Sequence, residues 1–137
     1  MIKNINLVKE INDTNPKGMN NVSLETLAQV TNNFVEHIDC VCLDELAIQP
    51  RNQVFPIILS KLCIGGSLSL KMINTGLLAN KIKKSELTGD KLSTILPHVN
   101  SVWSDNEISD YINKYSLLIK GMYYDNIYTI YQLEKTA

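Results

Sequence analysis

Hydrophobic residues along the chain change their period several times, and each change marks an expected element. Ile2, Ile5 and Leu7 alternate with polar neighbours, which predicts a short strand over Ile2–Val8. Turn formers crowd the stretch 12–21 (Asp13, Asn15, Pro16, Gly18, Asn20, Asn21) and predict a loop. Ser23 is suited to cap a helix over Leu24–Asn33, with Glu25 in the first turn and Leu24, Leu27, Ala28, Thr31 and Phe34 at helical spacing. From His37 to Leu46 the period is that of a strand, with Ile38, Cys40 and Cys42 on one side and Val41 and Leu43 on the other. A strand apolar on both faces belongs inside a parallel sheet. Ile48–Asn52 reads as a loop, and Val54, Phe55, Ile58, Leu59 and Leu62 then form a helical stripe in which Pro56 is tolerable only in the first turn. Gly65-Gly66 ends that helix, and Ser67–Ile73 is the next strand. Strand, helix and strand make a crossover unit, expected to be right-handed.

Thr75–Pro97 reads as two short helices broken near Thr88-Gly89. Ser104 and Glu107 have the spacing of a capping box, ahead of an amphipathic helix carrying Ile108, Tyr111, Ile112 and Tyr115. Leu117–Tyr124 and Ile127–Leu133 are β-rich and meet at Asp125-Asn126, which predicts a tight hairpin. No internal repeat or low-complexity stretch interrupts this order.

Composition narrows the function classes. With 137 residues, 45% of them hydrophobic and 20% charged, the chain has the make-up of one globular domain with a core of its own. A net charge of −1 offers no electrostatic footprint for nucleic acid. No apolar run approaches the roughly 18 residues that a membrane span requires. Glu10 and Asp13 fall where a signal peptide would be apolar, so the expected location is cytoplasmic, or a virion if the source is viral. The three cysteines, Cys40, Cys42 and Cys63, are expected as buried free thiols. A metal site built from them with His37 lacks a second paired motif, and no metal is expected.

The order of elements, and four local sequences, resemble the C-terminal half of class I S-adenosylmethionine-dependent methyltransferases. His37–Leu46 (HIDCVCLDEL) resembles the family's fourth strand and the turn after it. Phe55–Leu70 (FPIILSKLCIGGSLSL) is similar to the helix, glycine turn and fifth strand. Val102–Ile108 (VWSDNEI) resembles the start of the last helix, and Tyr128–Lys135 the final antiparallel strand with its closing Glu-Lys pair. The resemblance implies a partial Rossmann-like α/β fold: a mostly parallel sheet, helices on both faces, and a C-terminal antiparallel hairpin. The domain is expected to be single over 1–137, with an N-terminal strand and loop over 1–21 and a core over 22–137.

The sequence departs from the family where the cofactor is held. The first strand is followed by Lys9-Glu10-Ile11-Asn12, and no glycine precedes Gly18. A glycine is what lets a backbone approach a phosphate or nucleoside closely. No cofactor-binding or catalytic residue is therefore carried over from the family, and no cofactor is expected on the main reading. The main expectation is a non-catalytic, methyltransferase-like domain acting as a structural or interaction subunit, with a phage virion as one setting. A protein partner or homo-oligomer would then cover the sheet edge, through Trp103, Tyr123, Tyr124, Tyr128 and Tyr131. The alternative is an S-adenosylmethionine-dependent methyltransferase, minimal or completed by a partner chain, with Asp44, Glu45, Asn74 and His98 on the substrate side. An unrelated small α/β domain remains a third reading. For Asp44 and Glu45 the structural role weighed against this is helix capping or pairing with Lys61.

Overall fold

The computed structural model describes residues 3–12, 20–102 and 105–137. Six strands form one sheet in the order β2-β1-β3-β4-β6-β5, comprising β1 (Asn4–Val8), β2 (Asn21–Ser23), β3 (Val35–Cys40), β4 (Leu62–Ile73), β5 (Leu117–Asp125) and β6 (Tyr128–Lys135). The first four are mutually parallel, and β6 enters antiparallel between β4 and β5. The helices are α1 (Ile48–Lys61), α2 (Thr75–Lys83), α3 (Gly89–Ile95) and α4 (Asp105–Lys114). The expected architecture is met: a mixed sheet flanked by helices and closed by an antiparallel hairpin.

Register sorts the side chains into two faces, because successive residues of a strand point opposite ways. Ile5, Ile38, Leu68 and Leu133 form one cross-strand row, and Leu7, Cys40, Leu70 and Tyr131 the next. All eight are buried, and α1 and α4 contribute Phe55, Ile58, Leu59 and Ile108 to the same core. The opposite face has rows of another kind, Asn4–His37–Ser67–Glu134 and Asn6–Asp39–Ser69–Gln132. The expectation that the His37 strand is apolar on both faces is thus corrected. It ends at Cys40, so Val41 and Leu43 lie beyond it, and its second face carries His37 and Asp39.

Helix α1 starts earlier than the periodicity suggests, at Ile48, with Pro50 in its first turn, where a missing amide costs nothing. The expected loop over Ile48–Asn52 is helix, and Pro56 lies well inside a 14-residue helix. The buried stripe of α1 is Arg51, Phe55, Ile58, Leu59 and Lys61. Arg51, the sole arginine of the chain, is 1% exposed. Its guanidinium donates to Val102 O at 3.0 Å and to Glu107 Oε2 at 2.9 Å, which binds α1 to α4. Phe55 packs edge-on to Tyr111 beside it, with centroids 5.1 Å apart. At the other end of α1, Lys135 Nζ donates to the carbonyls of Leu59 and Leu62, both at 2.9 Å. A cation there satisfies acceptors that the helix leaves free.

The predicted helix over Leu24–Asn33 does not form. Asn21–Ser23 is strand β2, and only Leu27–Gln29 makes a single 3₁₀ turn. Ser23 still behaves as a cap, accepting the Thr26 amide at 3.3 Å, but Val30, Thr31 and two asparagines follow, and Asn33 adopts a positive φ of 55°. The hairpin turn is Asn126-Ile127, one residue later than expected, with Asp125 paired to Tyr128 and Asn126 left-handed. The capping serine Ser104 lies outside the described residues, as do Trp103 and 13–19 of the expected loop; α2, α3 and α4 match their predicted places.

Gly65-Gly66 does not end the helix; it forms an irregularity inside β4. Val35 pairs with Leu62 and His37 with Ser67, so two steps along β3 match five along β4. Gly65 takes φ +82°. A Cβ on Gly66 would stand 2.8 Å from Cys63 O and 3.2 Å from Glu36 O, neither of which can rotate away. Gly66→Ala is expected to cost about 1–3 kcal/mol through this overpacking, read as a lower urea midpoint with an unchanged slope.

Candidate functional site

The direction of the chain across the sheet reverses at β1: β2 lies on one side of it and β3 on the other. In open α/β sheets such a switch point opens a crevice beyond the carboxyl ends of the two diverging strands, where ligands bind. A cleft of about 430 Å³ lies there. Val8, Lys9, Glu10 and Asn12 line it from the end of β1, Val41, Cys42 and Glu45 from the turn after β3, and His98 from the segment after α3. A second lobe of about 240 Å³ shares Val41, Glu45 and His98 with the first, and adds Asp44, Ile73, Thr94, Ile95, Val99 and Tyr128. Val41, Glu45 and His98 thus border both cavities, two lobes along the carboxyl edge of the sheet.

The turn that carries the acids is a 3₁₀ helix, Leu43–Glu45. Asp44 is 6% exposed, and its Oδ2 accepts the Ile73 amide at 3.3 Å. Burial pushes its carboxyl up to about 6, against the pull of that hydrogen bond. Asn100 fixes the turn from outside. Its amide donates to Asp44 O at 2.8 Å and its Nδ2 to Glu45 O at 2.6 Å, while Ser101 N donates to Asp44 O at 3.1 Å. Those bonds tie residues 100–101, which follow His98 closely, to the backbone of the turn that carries Asp44 and Glu45. The Cys42 thiol is pushed far up by its hydrogen bond to Cys40 and by burial, so it serves the cleft as apolar wall rather than as nucleophile.

Of the residues expected on the substrate side, Asp44, Glu45 and His98 come together here. Asn74 does not. It caps α2, accepting Leu77 N at 2.9 Å, and its Nδ2 donates to Thr129 Oγ1 at 2.9 Å. It borders a separate groove of about 220 Å³ between α4 and the hairpin. Lys61 makes no pair with Asp44 or Glu45; its ammonium donates to Asn32 Oδ1 at 2.7 Å and Ala28 O. Among the aromatics expected at an interface, Tyr123 and Tyr124 are exposed, Tyr128 is half-buried, and Tyr131 is core. Among the described residues no three His, Cys, Asp or Glu side chains are placed to hold a metal. His37 and Cys40 cannot converge on one, because they project from opposite faces of β3. No helix of the described residues is long and apolar enough to cross a membrane.

The sequence missed Glu10, Val41 and Asn100. Glu10 follows the end of β1 by two residues, and knowledge of the switch point would have singled it out. Val41 and Asn100 carry no motif.

No protein-family model and no curated protein matches the sequence. Solved structures do. A SAM-dependent methyltransferase of Anabaena variabilis superposes with a TM-score of 0.58 at 12% identity, over 91% of this chain and 61% of that one. An O-methyltransferase family protein of Burkholderia thailandensis gives 0.58 at 12% identity, over 85% and 36%. A possible exported protein of Bordetella parapertussis gives 0.58 at 11%, over 81% and 42%. The chain thus spans between about a third and three fifths of the length of these similar proteins. At such identities the likeness speaks for the fold alone, and that fold is the one found in S-adenosylmethionine-dependent methyltransferases.

Proposed function

We propose that the chain is a methyltransferase-fold domain that takes an S-adenosylmethionine-type cofactor at the switch point between β1 and β3 and serves methyl transfer, alone or with a partner chain completing the site. The observation that carries this reading is the two-lobed crevice at the carboxyl edge of β1 and β3. Its donor set fits the group. Val8, Val41 and Cys42 offer an apolar wall to a purine, while Glu10, Glu45 and Asn12 offer acceptors for ribose hydroxyls and an ammonium. The fit rests on side chains, since the described residues between β1 and β2 (9–12 and 20) include no glycine.

When bound, the cofactor supplies an electrophilic methyl group on a sulfonium cation. Glu10 and Glu45 outnumber Lys9 in the lining of the first lobe, and the balance of charge there favours a cation. His98 and Glu45 border both lobes, at the place where a nucleophilic acceptor gives up its proton. Asn100 ties the segment after His98 to the backbone of the Glu45 turn. Val41→Trp tests the reading: Val41 is 45% exposed, so the ring fills the shared wall of the crevice at little cost to folding. Binding of S-adenosylhomocysteine is expected to fall at least about tenfold, the effect of roughly 1.4 kcal/mol. Unchanged affinity in the variant places the ligand elsewhere and refutes this site.

A second reading, an assembly subunit of the kind a virion contains, is favoured by β5. It is an edge strand, and it exposes Leu118, Ile119, Met122, Tyr123 and Tyr124. Long apolar edges are normally covered. Light scattering tests it: an oligomer that Ile119→Lys reduces to monomer supports the reading, and a monomeric wild type rules it out.

A further inference from the structure

The register of β3 against β4 sets His37 directly beside Ser67 on the polar face of the sheet, away from the packed core. The imidazole bridges two side chains. Nδ1 lies 2.5 Å from Ser67 Oγ, and Nε2 lies 2.9 Å from Asp39 Oδ1. An ionised carboxylate only accepts, so a neutral ring carries its proton on Nε2 and turns a bare Nδ1 to the hydroxyl. Ser67 then donates to the ring. Hydroxyl, base and a carboxylate behind the base follow one another with the polarity of a serine–histidine–aspartate relay, the two ring nitrogens exchanged in role. Strands of a hydrogen-bonded ladder hold all three positions, which fixes them better than loops would. The side chains of His37 and Asp39 are 30% and 36% exposed, and Ser67 is half-buried, so a reagent in solution reaches the site.

We propose that Ser67 is an activated nucleophile that takes the acyl group of small activated carboxylic esters, with His37 as its base and Asp39 as the residue that positions the ring. In the step, Ser67 Oγ bonds to the ester carbonyl carbon and its proton passes to His37 Nδ1. The tetrahedral adduct expels the alkoxide or phenoxide, which leaves with that proton, and water then releases the acid from the acyl-serine by the same base. None of the three cavities described above includes Ser67, His37 or Asp39. The expected gain is therefore that of base catalysis alone, on the order of 10²-fold. The proposal makes no use of the crevice and stands independently of methyl transfer.

The test is p-nitrophenyl acetate with the full chain, following nitrophenolate release and locating the acetyl group by peptide mass mapping. Acetylation at Ser67 is expected, lost in Ser67→Ala and about 10²-fold slower in His37→Gln. Asp39→Asn and Asp39→Glu separate positioning from a structural role. Both keep a polar partner for the ring and are expected to melt together. Only the glutamate is expected to retain acylation, because a neutral asparagine neither holds the proton on Nε2 as firmly nor stabilises the imidazolium that forms. Acetyl groups confined to lysines, or Ser67 acylation that His37→Gln leaves at the wild-type rate, overturns the proposal.

Discussion

Replacing Arg51 by alanine is expected to lower the unfolding free energy by about 2–5 kcal/mol, chiefly through the cavity left by a large buried side chain and the donor lost to Val102 O. Arg51 sits where the stripe of α1 calls for an apolar side chain, and burial pulls its guanidinium below its usual range while Glu107 opposes the shift. Without it Val102 O and Glu107 lose donors, and a cavity opens beside Phe55 and Tyr111. Lysine is a poor substitute, since its compact ammonium lacks the planar fork that reaches Val102 O and Glu107 from one rigid group. Glu107→Gln should cost much less, because the Glu107 side chain is 47% exposed and the amide oxygen still accepts. Urea denaturation of the variants checks the order. A loss under 1 kcal/mol for Arg51→Ala would mean that α1 and α4 are held by the aromatic cluster alone.

Asp44→Asn is expected to stabilise the protein near neutral pH and to flatten its pH dependence. The folded state raises this carboxyl from 3.8 to about 6. Between those values the native protein keeps a proton that the unfolded chain has released, so Asp44 makes stability fall as pH rises from about 4 to about 6, and adds no slope above that. The difference of about 2 pH units corresponds to about 3 kcal/mol at pH 7. Asparagine keeps an acceptor for the Ile73 amide without the buried charge. Thermal melts should show the variant higher by on the order of 5–10 °C at pH 7.5, with the gap closing towards pH 4. Parallel pH profiles for the two proteins would contradict the account. On the proposed function, a destabilising acid at the wall of the crevice is what a position retained for chemistry would show.

What the sequence disclosed follows from the physics of each element. The α1 stripe, the α4 amphipathicity and the hairpin repeat their periods long enough to be read. Strand β2 is three residues long and carries no period, so in the sequence Asn21 reads as loop and Ser23 as the cap of a helix that Val30 and Thr31 do not continue. Of the crevice, Asp44 and Glu45 were legible because they end an apolar run, and carboxyl ends of strands are where sites form. Glu10 was not, since its place depends on β1 lying between β2 and β3, a fact of topology. Ser67, His37 and Asp39 were invisible as a group, because their contact depends on how many residues the Cys63–Gly66 irregularity takes up.

The most direct measurement is calorimetric titration of the chain with S-adenosylhomocysteine, for wild type and Val41→Trp side by side. The account predicts saturable binding to the wild type at micromolar concentration and a clear loss in the variant. The absence of heat from the wild type at millimolar ligand would contradict it, leaving a methyltransferase fold whose crevice holds no such cofactor.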